Sequence, residues 1–242
     1  MLSSLWNFLL YRPLVNVLAF LIFLIPGGDV GIAIILLTIL VKLLLYPLSQ
    51  RSLESQAKMN QLAPELNKIK ASGTAKEEQA RLTFELYKKY ETNPFSGCLL
   101  ILIQIPIILA LYYVFAKGIK FDTGLLYSLT PVPAHVNMLF LNLINISGKS
   151  LFLAIVAGIS QYFQAYFMPK PATNTGGSSF QDAFAKNMQT QMKYVFPFII
   201  TLIAYRSGAL ALYWATSNLF SIAQQIYINS KKPKENLISV VK

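Results

Sequence analysis

The chain has 242 residues, of which 55% are hydrophobic and 13% are charged, and its formal net charge is +11. Soluble domains carry about 25% charged residues, so this composition indicates a membrane protein. A single cysteine, Cys98, and a single histidine, His135, exclude an internal disulfide and leave no ligand set for a metal, so we expect no metal site.

The first predicted element is an interfacial helix on the extracytoplasmic side, within residues 1–28. Polar residues interrupt its first half, and the uninterrupted apolar part, 17–25, is too short to cross a bilayer. A cleaved signal peptide and a sixth span are the alternatives, but no small-residue cleavage site follows the apolar part. The sequence favours the interfacial helix over both.

The first predicted span, 29–49, contains a lysine where lipid-facing hydrocarbon is expected. The apolar run 30–48 is long enough to cross a bilayer, and Lys42 lies inside it. A charge within a span costs roughly 2.5 to 3.5 kcal/mol on insertion scales. Either Lys42 snorkels to the cytoplasmic interface, or a polar environment inside the protein receives it. Thr38 and Ser49 are predicted to share its helix face.

Residues 50–95 form the one sizeable hydrophilic segment, which is predicted to be a cytoplasmic helical hairpin. Apolar residues recur at helical spacing in its first half. Thr74 and Glu77 predict a capping box at the start of the second helix. A solvated loop with two helices and a mobile docking arm explain this pattern equally well.

Four more spans complete the predicted fold: 96–116, 149–168, 191–207 and 209–229. The segments between and after them are an extracytoplasmic loop, a cytoplasmic loop and a basic cytoplasmic tail: 117–148, 169–190 and 230–242. A tight turn near Gly208 joins the last two spans. The predicted fold class is an all-α integral membrane protein, a bundle of five transmembrane helices.

The distribution of lysine and arginine orients these spans. Eight such residues lie in 50–95, three in 169–193 and four in the tail, whereas five lie on the opposite side, in the outer segments or at the outer ends of spans. Cytoplasmic loops of membrane proteins carry this excess of positive charge. We therefore expect the N-terminus outside and the C-terminus in the cytoplasm.

Polar side chains recur inside the other spans. Gln104 lies in the second span and Gln161 in the third, and the last span carries a polar stripe at helical spacing. The stripe consists of Trp214, Ser217, Asn218, Ser221, Gln224 and Gln225. A lone polar residue in a span is often a hydrogen-bond link worth about 1 kcal/mol. Amides in three spans together with a cation instead favour a shared hydrated pocket that takes an acidic, transient ligand.

Several function classes lack the residues that they require. All ten aspartates and glutamates lie outside the apolar spans, which argues against ion-coupled pumps and carriers. The chain contains no GxxxxGK[ST], HExxH or GxSxG motif, so nucleotide-binding, zinc-protease and serine-hydrolase chemistry are without their minimum residues. We expect a protein that is not an enzyme and has no catalytic residue or cofactor.

Three stretches resemble spans of the YidC/Oxa/Alb family of membrane protein insertases, in the short bacterial form. Its second-span signature is similar to "NPFSGCLLILIQIPIILALYYVF" (93–115), the most specific match, which combines Asn-Pro, Gly-Cys and Gln-x-Pro elements. Its last span is similar to "GALALYWATSNLFSIAQQ" (208–225), and its first to "DVGIAIILLTILVKLLLYPLSQRS". The resemblance covers the chain from about residue 10 to residue 228.

The resemblance implies a hydrophilic groove inside the bundle, open to the cytoplasm and to lipid. In the family an arginine of the first span supplies the positive charge of the groove, and Lys42 stands at that position here. Lysine keeps the charge but lacks the planar donor fork of arginine. A second departure is Arg206, since the family usually has a proline at this turn. The large extracytoplasmic domain of some members has no counterpart in this sequence.

The residues and the resemblance together predict an insertase and chaperone that uses no nucleotide. Its expected groove residues are Lys42, Thr38, Gln104, Gln161, Trp214, Ser217 and Asn218. Small nascent membrane proteins with acidic tails are the expected clients, and the ribosome and a Sec translocon are candidate partners, with no role for DNA. The expected location is the plasma membrane of a bacterium, because no transit peptide is recognisable. The alternatives are an assembly scaffold for partner helices and, less favoured, a small-solute channel.

Overall fold

The computed structural model describes residues 6–93, 96–116, 121, 124–168, 187 and 190–231. This part of the chain is mostly helical, as predicted, with one antiparallel pair of short strands. Most of the predicted cytoplasmic loop 169–190 and the tail after residue 231 lie outside the described residues.

The first helix begins with a π-helical turn, Asn7–Tyr11, and continues as α1, Arg12–Leu24. One face of α1 packs on the next long helix, with three side chains that are at most 1% exposed: Leu18, Ala19 and Ile22. The opposite face exposes Phe20 and Phe23. A helix that is apolar on both its packed face and its exposed face is typical of one that lies between protein and lipid.

Length and hydropathy identify few membrane spans in the described residues. The 18-residue helix Asn7–Leu24 satisfies both criteria, as signal sequences and core helices of soluble proteins also do. The helix pair Val30–Leu44 and Tyr46–Met59 satisfies them together, across a bend of 63°. The remaining apolar helices are shorter: Gln104–Phe115, Leu151–Phe167 and Gln191–Ala204. The five-span arrangement and the interfacial position of α1 therefore stay predictions.

Helix α2, Val30–Leu44, begins at a carboxylate that also holds the loop predicted to be extracytoplasmic, 117–148. Asp29 is its N-cap and accepts a hydrogen bond from the Ile32 amide at 3.1 Å. The second carboxylate oxygen accepts from the Leu141 amide at 2.7 Å. This loop contains the strand pair β1, Leu139–Phe140, and β2, Ile144–Asn145. One side chain thus starts α2 and positions the loop.

Helix α2 ends earlier than the predicted span 29–49. Beyond Leu45 the chain bends by 63° into α3, Tyr46–Gln61. Pro47 occupies the first turn of α3, where its missing amide hydrogen breaks no helical hydrogen bond. Ser49 therefore belongs to α3, and the single helix face that was expected to carry Thr38, Lys42 and Ser49 is divided between two helices.

The described part of the hydrophilic hairpin contains three helices. They are α3, then α4 (Ala63–Ala71) and α5 (Lys76–Lys89). The predicted capping box at Thr74 is wrong, because α5 begins one residue later, with Ala75 as N-cap and no side-chain cap. The Thr74 hydroxyl lies 2.9 Å from the Ser72 hydroxyl instead. The Tyr90 hydroxyl donates to Glu65 at 3.1 Å and ties the end of α5 to α4. Desolvation, followed by this hydrogen bond and the Glu65 charge, raises the pKa of Tyr90.

Four further helices follow in the described residues: α6 (Ser96–Ala116), α7 (Leu151–Phe167), α8 (Phe196–Ala204) and α9 (Gly208–Lys231). A π-helical segment, Gln191–Val195, precedes α8. Helix α9 contacts α2, α3, α6, α7 and α8, so it is the central element of the bundle. Its residues 208–215 are apolar and buried, and the hydroxyls and amides of the polar stripe follow from Ser217 onward.

The buried side chain of Asn16 links α1 to the loop that contains Leu125 and Tyr127. Its amide nitrogen donates to the carbonyls of Arg12 at 2.7 Å and Leu125 at 3.0 Å, and its oxygen accepts from the Tyr127 amide at 2.7 Å. The Arg12 guanidinium also donates to the Leu125 carbonyl, at 3.1 Å, and lies 4.8 Å from the centre of the Tyr127 ring. Two of the three hydrogen bonds of this amide thus fix the loop on α1, and the third is made within α1.

Replacing Asn16 by leucine is expected to lower the free energy of unfolding by about 2 kcal/mol, because loop backbone groups lose their partner. Hydrogen exchange at the Tyr127 amide should accelerate in parallel. The matched control is Asn7→Leu, an exposed position on the same helix, which should change neither quantity. Unchanged exchange at Tyr127 in Asn16→Leu would contradict this link between helix and loop.

Candidate functional site

The polar stripe of α9 contacts the surrounding helices through side-chain hydrogen bonds. It reaches α2 at Lys42, α3 at Ser49 and α7 at Ser160, and Tyr213, which lies beside the stripe on α9, reaches α6 at Gln104. The central helix therefore brings polar groups from four helices to one place, although the sequence separates them by up to 179 positions.

Lys42 points from α2 towards α9. Its ammonium donates to the Ser221 hydroxyl at 3.1 Å, and that hydroxyl donates in turn to the Ser217 carbonyl at 2.9 Å. The lysine is half-buried, and no carboxylate of the described residues interacts with it. The ammonium thus lies within the bundle, and its hydrogen-bond partner among the described residues, the Ser221 hydroxyl, is neutral.

Gln104 of α6 and Tyr213 of α9 form the second link. The Gln104 amide donates to the Tyr213 hydroxyl, and Tyr213 is 2% exposed. The same hydroxyl is hydrogen-bonded to Ser217, one turn along α9. Sequence reasoning missed Tyr213, because a tyrosine between apolar neighbours is typical of a packed core. Its spacing of four residues from Ser217 was the available signal.

Asn218 makes the third link, to α7. Its amide donates to the Ser160 hydroxyl at 3.0 Å, and Ser160 donates to the Ala157 carbonyl at 2.7 Å. Gln161 lies beside this link and donates to Gln164 of its own helix at 2.8 Å. Three of these side chains are at most 6% exposed: Ser160, Gln161 and Asn218.

Two predicted groove residues lie in a different environment from the polar links. The Thr38 hydroxyl donates to the Ile34 carbonyl of its own helix at 2.6 Å, and the residue is 2% exposed. Trp214 is 8% exposed and belongs to the apolar core. The structure connects Lys42 to Ser217 through Ser221, but the groove role of every predicted residue, Thr38 and Trp214 included, stays a prediction.

Ser49 and Gln224 form a fourth link, and the sequence had marked both as polar positions without including them among the expected groove residues. The Gln224 amide donates to the Ser49 hydroxyl at 2.7 Å, and Ser49 also donates to the Tyr46 carbonyl at 2.9 Å. Gln224 is 6% exposed. The link joins α9 to the first turn of the hairpin. On α9 it lies about one helical turn after the Lys42–Ser221 hydrogen bond, in the direction of the C-terminus.

A double-mutant cycle tests the fourth link. Ser49→Ala and Gln224→Leu are each expected to destabilise the protein, with a coupling energy of about 1 kcal/mol between them, as for a typical hydrogen bond. Chemical unfolding of the two single variants and the double variant in detergent measures this energy. A parallel cycle of Ser49→Ala with Gln225→Leu should give none, because Gln225 donates to Asn229. Equal coupling in both cycles would contradict the link.

The open cavity between α7 and α9 is apolar. It has a volume of about 370 Å³ and is lined by Phe163 and Phe167 of α7 and by Leu219 and Ile222 of α9, among others. Ser160 supplies a polar group at its edge, and that hydroxyl is already engaged in hydrogen bonds. The polar groups of the site are thus paired between helices, and the accessible cavity beside them suits a hydrocarbon surface.

Comparison with known proteins gives consistent matches. Residues 22–235 match the family described as 60Kd inner membrane protein. The membrane protein insertase YidC of Ruthia magnifica subsp. Calyptogena magnifica is 34% identical over 227 residues, which cover 93% of this chain and 37% of that protein. The membrane protein insertase YidC of Clostridium tetani (strain Massachusetts / E88) is 33% identical over 214 residues, which cover 87% of this chain and 86% of that protein.

One solved structure is also similar, a crystal structure of an active YidC insertase with its first transmembrane domain resolved. The TM-score is 0.49 at 25% sequence identity, over 80% of this chain and 40% of that chain. This chain spans little more than a third of the Ruthia magnifica relative, whereas it spans most of the Clostridium tetani relative.

Proposed function

The chain belongs to the 60Kd inner membrane protein family, that of the YidC-type insertases, and on this premise we propose that it inserts nascent membrane proteins into a bacterial plasma membrane and helps them to fold. This role is chaperone-like and not enzymatic. The names of the relatives support the activity, and the residues of this chain support a way in which it is performed.

The hydrogen bond between Lys42 and Ser221 is the observation that carries the proposal. It holds a cation inside the bundle, beside hydroxyls and amides of α9 and without a carboxylate partner among the described residues. A neutral acceptor is a weaker partner for an ammonium than a carboxylate is. The carboxylate of an acidic client tail would therefore readily replace the Ser221 hydroxyl as the partner of the Lys42 ammonium. Lys42 would then hold the tail during its passage.

The remaining polar residues replace part of the water around the client tail. Gln104, Ser217 and Asn218 offer amides and hydroxyls on one side of α9. In this proposal the links between helices open to form a hydrophilic groove that faces the cytoplasm, and the client displaces them one by one. Each link contributes only about 1 kcal/mol, so their exchange needs no external energy source.

Partition of the client's apolar span into lipid supplies the free energy. Burial contributes about 0.8 kcal/mol per methylene, so a span of leucines outweighs the cost of moving a short hydrophilic tail. The apolar cavity beside Phe163 and Leu219 lies next to the polar links and offers the span a hydrocarbon surface. Nucleotide hydrolysis has no part in this mechanism.

The proposed topology has five spans, an extracytoplasmic N-terminus and a cytoplasmic C-terminus. The excess of lysine and arginine in the hairpin supports this orientation. The hairpin then lies where clients, a ribosome or a Sec translocon meet the insertase, and the basic tail provides charges for ribosomal RNA phosphates.

Reconstitution of the purified full chain in liposomes tests the activity. A single-span client with an acidic N-terminal tail is added without any other translocation component, and protease protection of that tail is scored. The proposal predicts protection that depends on the protein and is independent of added nucleotide. Client binding without protection would instead favour an assembly scaffold that holds partner helices.

A small-solute channel is the less favoured alternative. It requires polar groups along the whole length of the bundle, whereas the extracytoplasmic half has apolar buried residues, among them Ile107 and Leu153. Efflux of a small dye from the same liposomes distinguishes this alternative from insertion.

A further inference from the structure

Lys193 lies among three tyrosine rings at one end of the bundle. Its ammonium is 5.7 Å from the ring centre of Tyr162, 5.3 Å from that of Tyr166 and 5.2 Å from that of Tyr194. It also makes a side-chain hydrogen bond with the Tyr194 hydroxyl. Each contact falls within the range of a cation–π interaction. The chain's lysines at other rings have one such contact each among the described residues.

The positive charge of this tyrosine–lysine cluster, that of Lys193, is not balanced by a negative charge of the described residues. No carboxylate of the described residues interacts with Lys193. Lysine has three donors, and the tyrosine hydroxyls add further hydrogen-bond groups around it. The ring faces already hold a cation, which leaves no place for a second one. The chemistry that completes the cluster is therefore an anion with several acceptor oxygens.

The surroundings of the cluster are those of a membrane interface. Tyr166 lies one residue before the end of α7, and Tyr162 lies one turn earlier. On the same face of α7, Ile159 and Ile155 follow at helical spacing towards the middle of the helix, and they are 53% and 45% exposed. Apolar side chains thus extend from the cluster in the direction of the hydrocarbon, as an acyl chain does from its phosphate.

We propose that Lys193 with Tyr162, Tyr166 and Tyr194 binds the headgroup phosphate of an anionic phospholipid in the cytoplasmic leaflet. The assignment to that leaflet rests on the proposed topology, whereas the binding itself does not. The lipid phosphate accepts from the ammonium and from tyrosine hydroxyls, and one acyl chain lies along Ile159 and Ile155. An anionic headgroup such as that of phosphatidylglycerol is preferred, because a zwitterionic one places its own cation next to Lys193.

Native mass spectrometry of the full chain in mild detergent measures this preference. Phosphatidylglycerol and phosphatidylcholine with the same acyl chains are added separately, and the fraction of protein with bound lipid is followed. Lys193→Gln is expected to weaken phosphatidylglycerol binding about fivefold, the contribution of one lysine near an anionic surface. Lys193→Arg should retain the binding, and Tyr194→Phe should weaken it less than Lys193→Gln does.

The matched control is Lys149→Gln, since Lys149 contacts a single ring, that of Tyr205, at 5.8 Å. Binding should be unchanged in this variant, and thermal unfolding verifies that each variant is folded. Three results would overturn the proposal: unaltered binding in Lys193→Gln, an equal loss in Lys149→Gln, or equal binding of the zwitterionic lipid. Displacement of phosphatidylglycerol by millimolar inorganic phosphate would identify free phosphate as the ligand and also overturn it. None of these outcomes depends on insertase activity.

Discussion

Lys42→Ala is expected to reduce insertion of a client with an acidic N-terminal tail by roughly tenfold, whereas Lys42→Arg is expected to retain it. A hydrogen bond that involves a charged group contributes about 1.5 to 3 kcal/mol, and alanine removes both the charge and the donor. Arginine keeps the charge and adds a planar donor fork that suits a carboxylate. Protease protection in liposomes measures the effect.

Two controls separate the charge of Lys42 from its structural role. Ser221→Ala removes the resting partner of the ammonium and should leave insertion of the acidic client intact or increased, because Lys42 is then free for the client. A client whose tail has no acidic residue should be insensitive to Lys42→Ala. If both clients lose insertion equally in Lys42→Ala, the lysine acts through the packing of α2 against α9 and not through client recognition.

Gly158→Val is expected to lower the free energy of unfolding by about 3 kcal/mol, at the upper end of the cost of overpacking. Gly158 lies on α7 where α8 approaches it. A Cβ atom there would overlap the Thr201 hydroxyl and lie 3.2 Å from the Pro197 carbonyl oxygen. Thr201 donates to that same carbonyl at 2.8 Å, so moving its hydroxyl away breaks a hydrogen bond. Small residues allow such close approach of helices in membranes.

Thermal or chemical unfolding in detergent measures the loss in Gly158→Val. Gly148→Val is the matched control, since a Cβ at Gly148 has no atom within 4 Å. Adding Thr201→Ala to Gly158→Val should recover part of the stability, because the overlapping hydroxyl is removed. A Gly158→Val protein as stable as the wild type would show that α7 and α8 do not approach closely here.

Sequence reasoning singled out the polar residues of α9 because helical spacing can be read directly from the sequence, while the hydrated groove itself stays a prediction. Ser217, Asn218 and Ser221 recur at intervals of three and four, and the structure places them on the face of α9 that meets Lys42 and Ser160. Gln104 was identified in the same way, as an amide within an apolar run. Its partner Tyr213 was not, since the apolar body of a tyrosine hides its hydroxyl from a hydropathy pattern.

Other features were beyond local patterns. The end of α2 at Leu44 depends on a bend that Pro47 permits but does not require. The capping box at Thr74 failed because α5 begins one residue later than this box requires, with Ala75 at the N-cap position. The cluster around Lys193 joins side chains from α7 and from the segment before α8, which no single-helix pattern connects. Such contacts arise only when the helices are packed.

The bend at Leu45 separates the helical register of the hairpin from that of the bundle. In an uninterrupted helix, one inserted residue rotates everything beyond it by about 100°, so the direction of the hairpin would be tied to every residue after Lys42. A break absorbs such a rotation at a single joint. The hairpin can therefore lengthen, shorten or change sequence during evolution, while the ammonium of Lys42 still points towards α9.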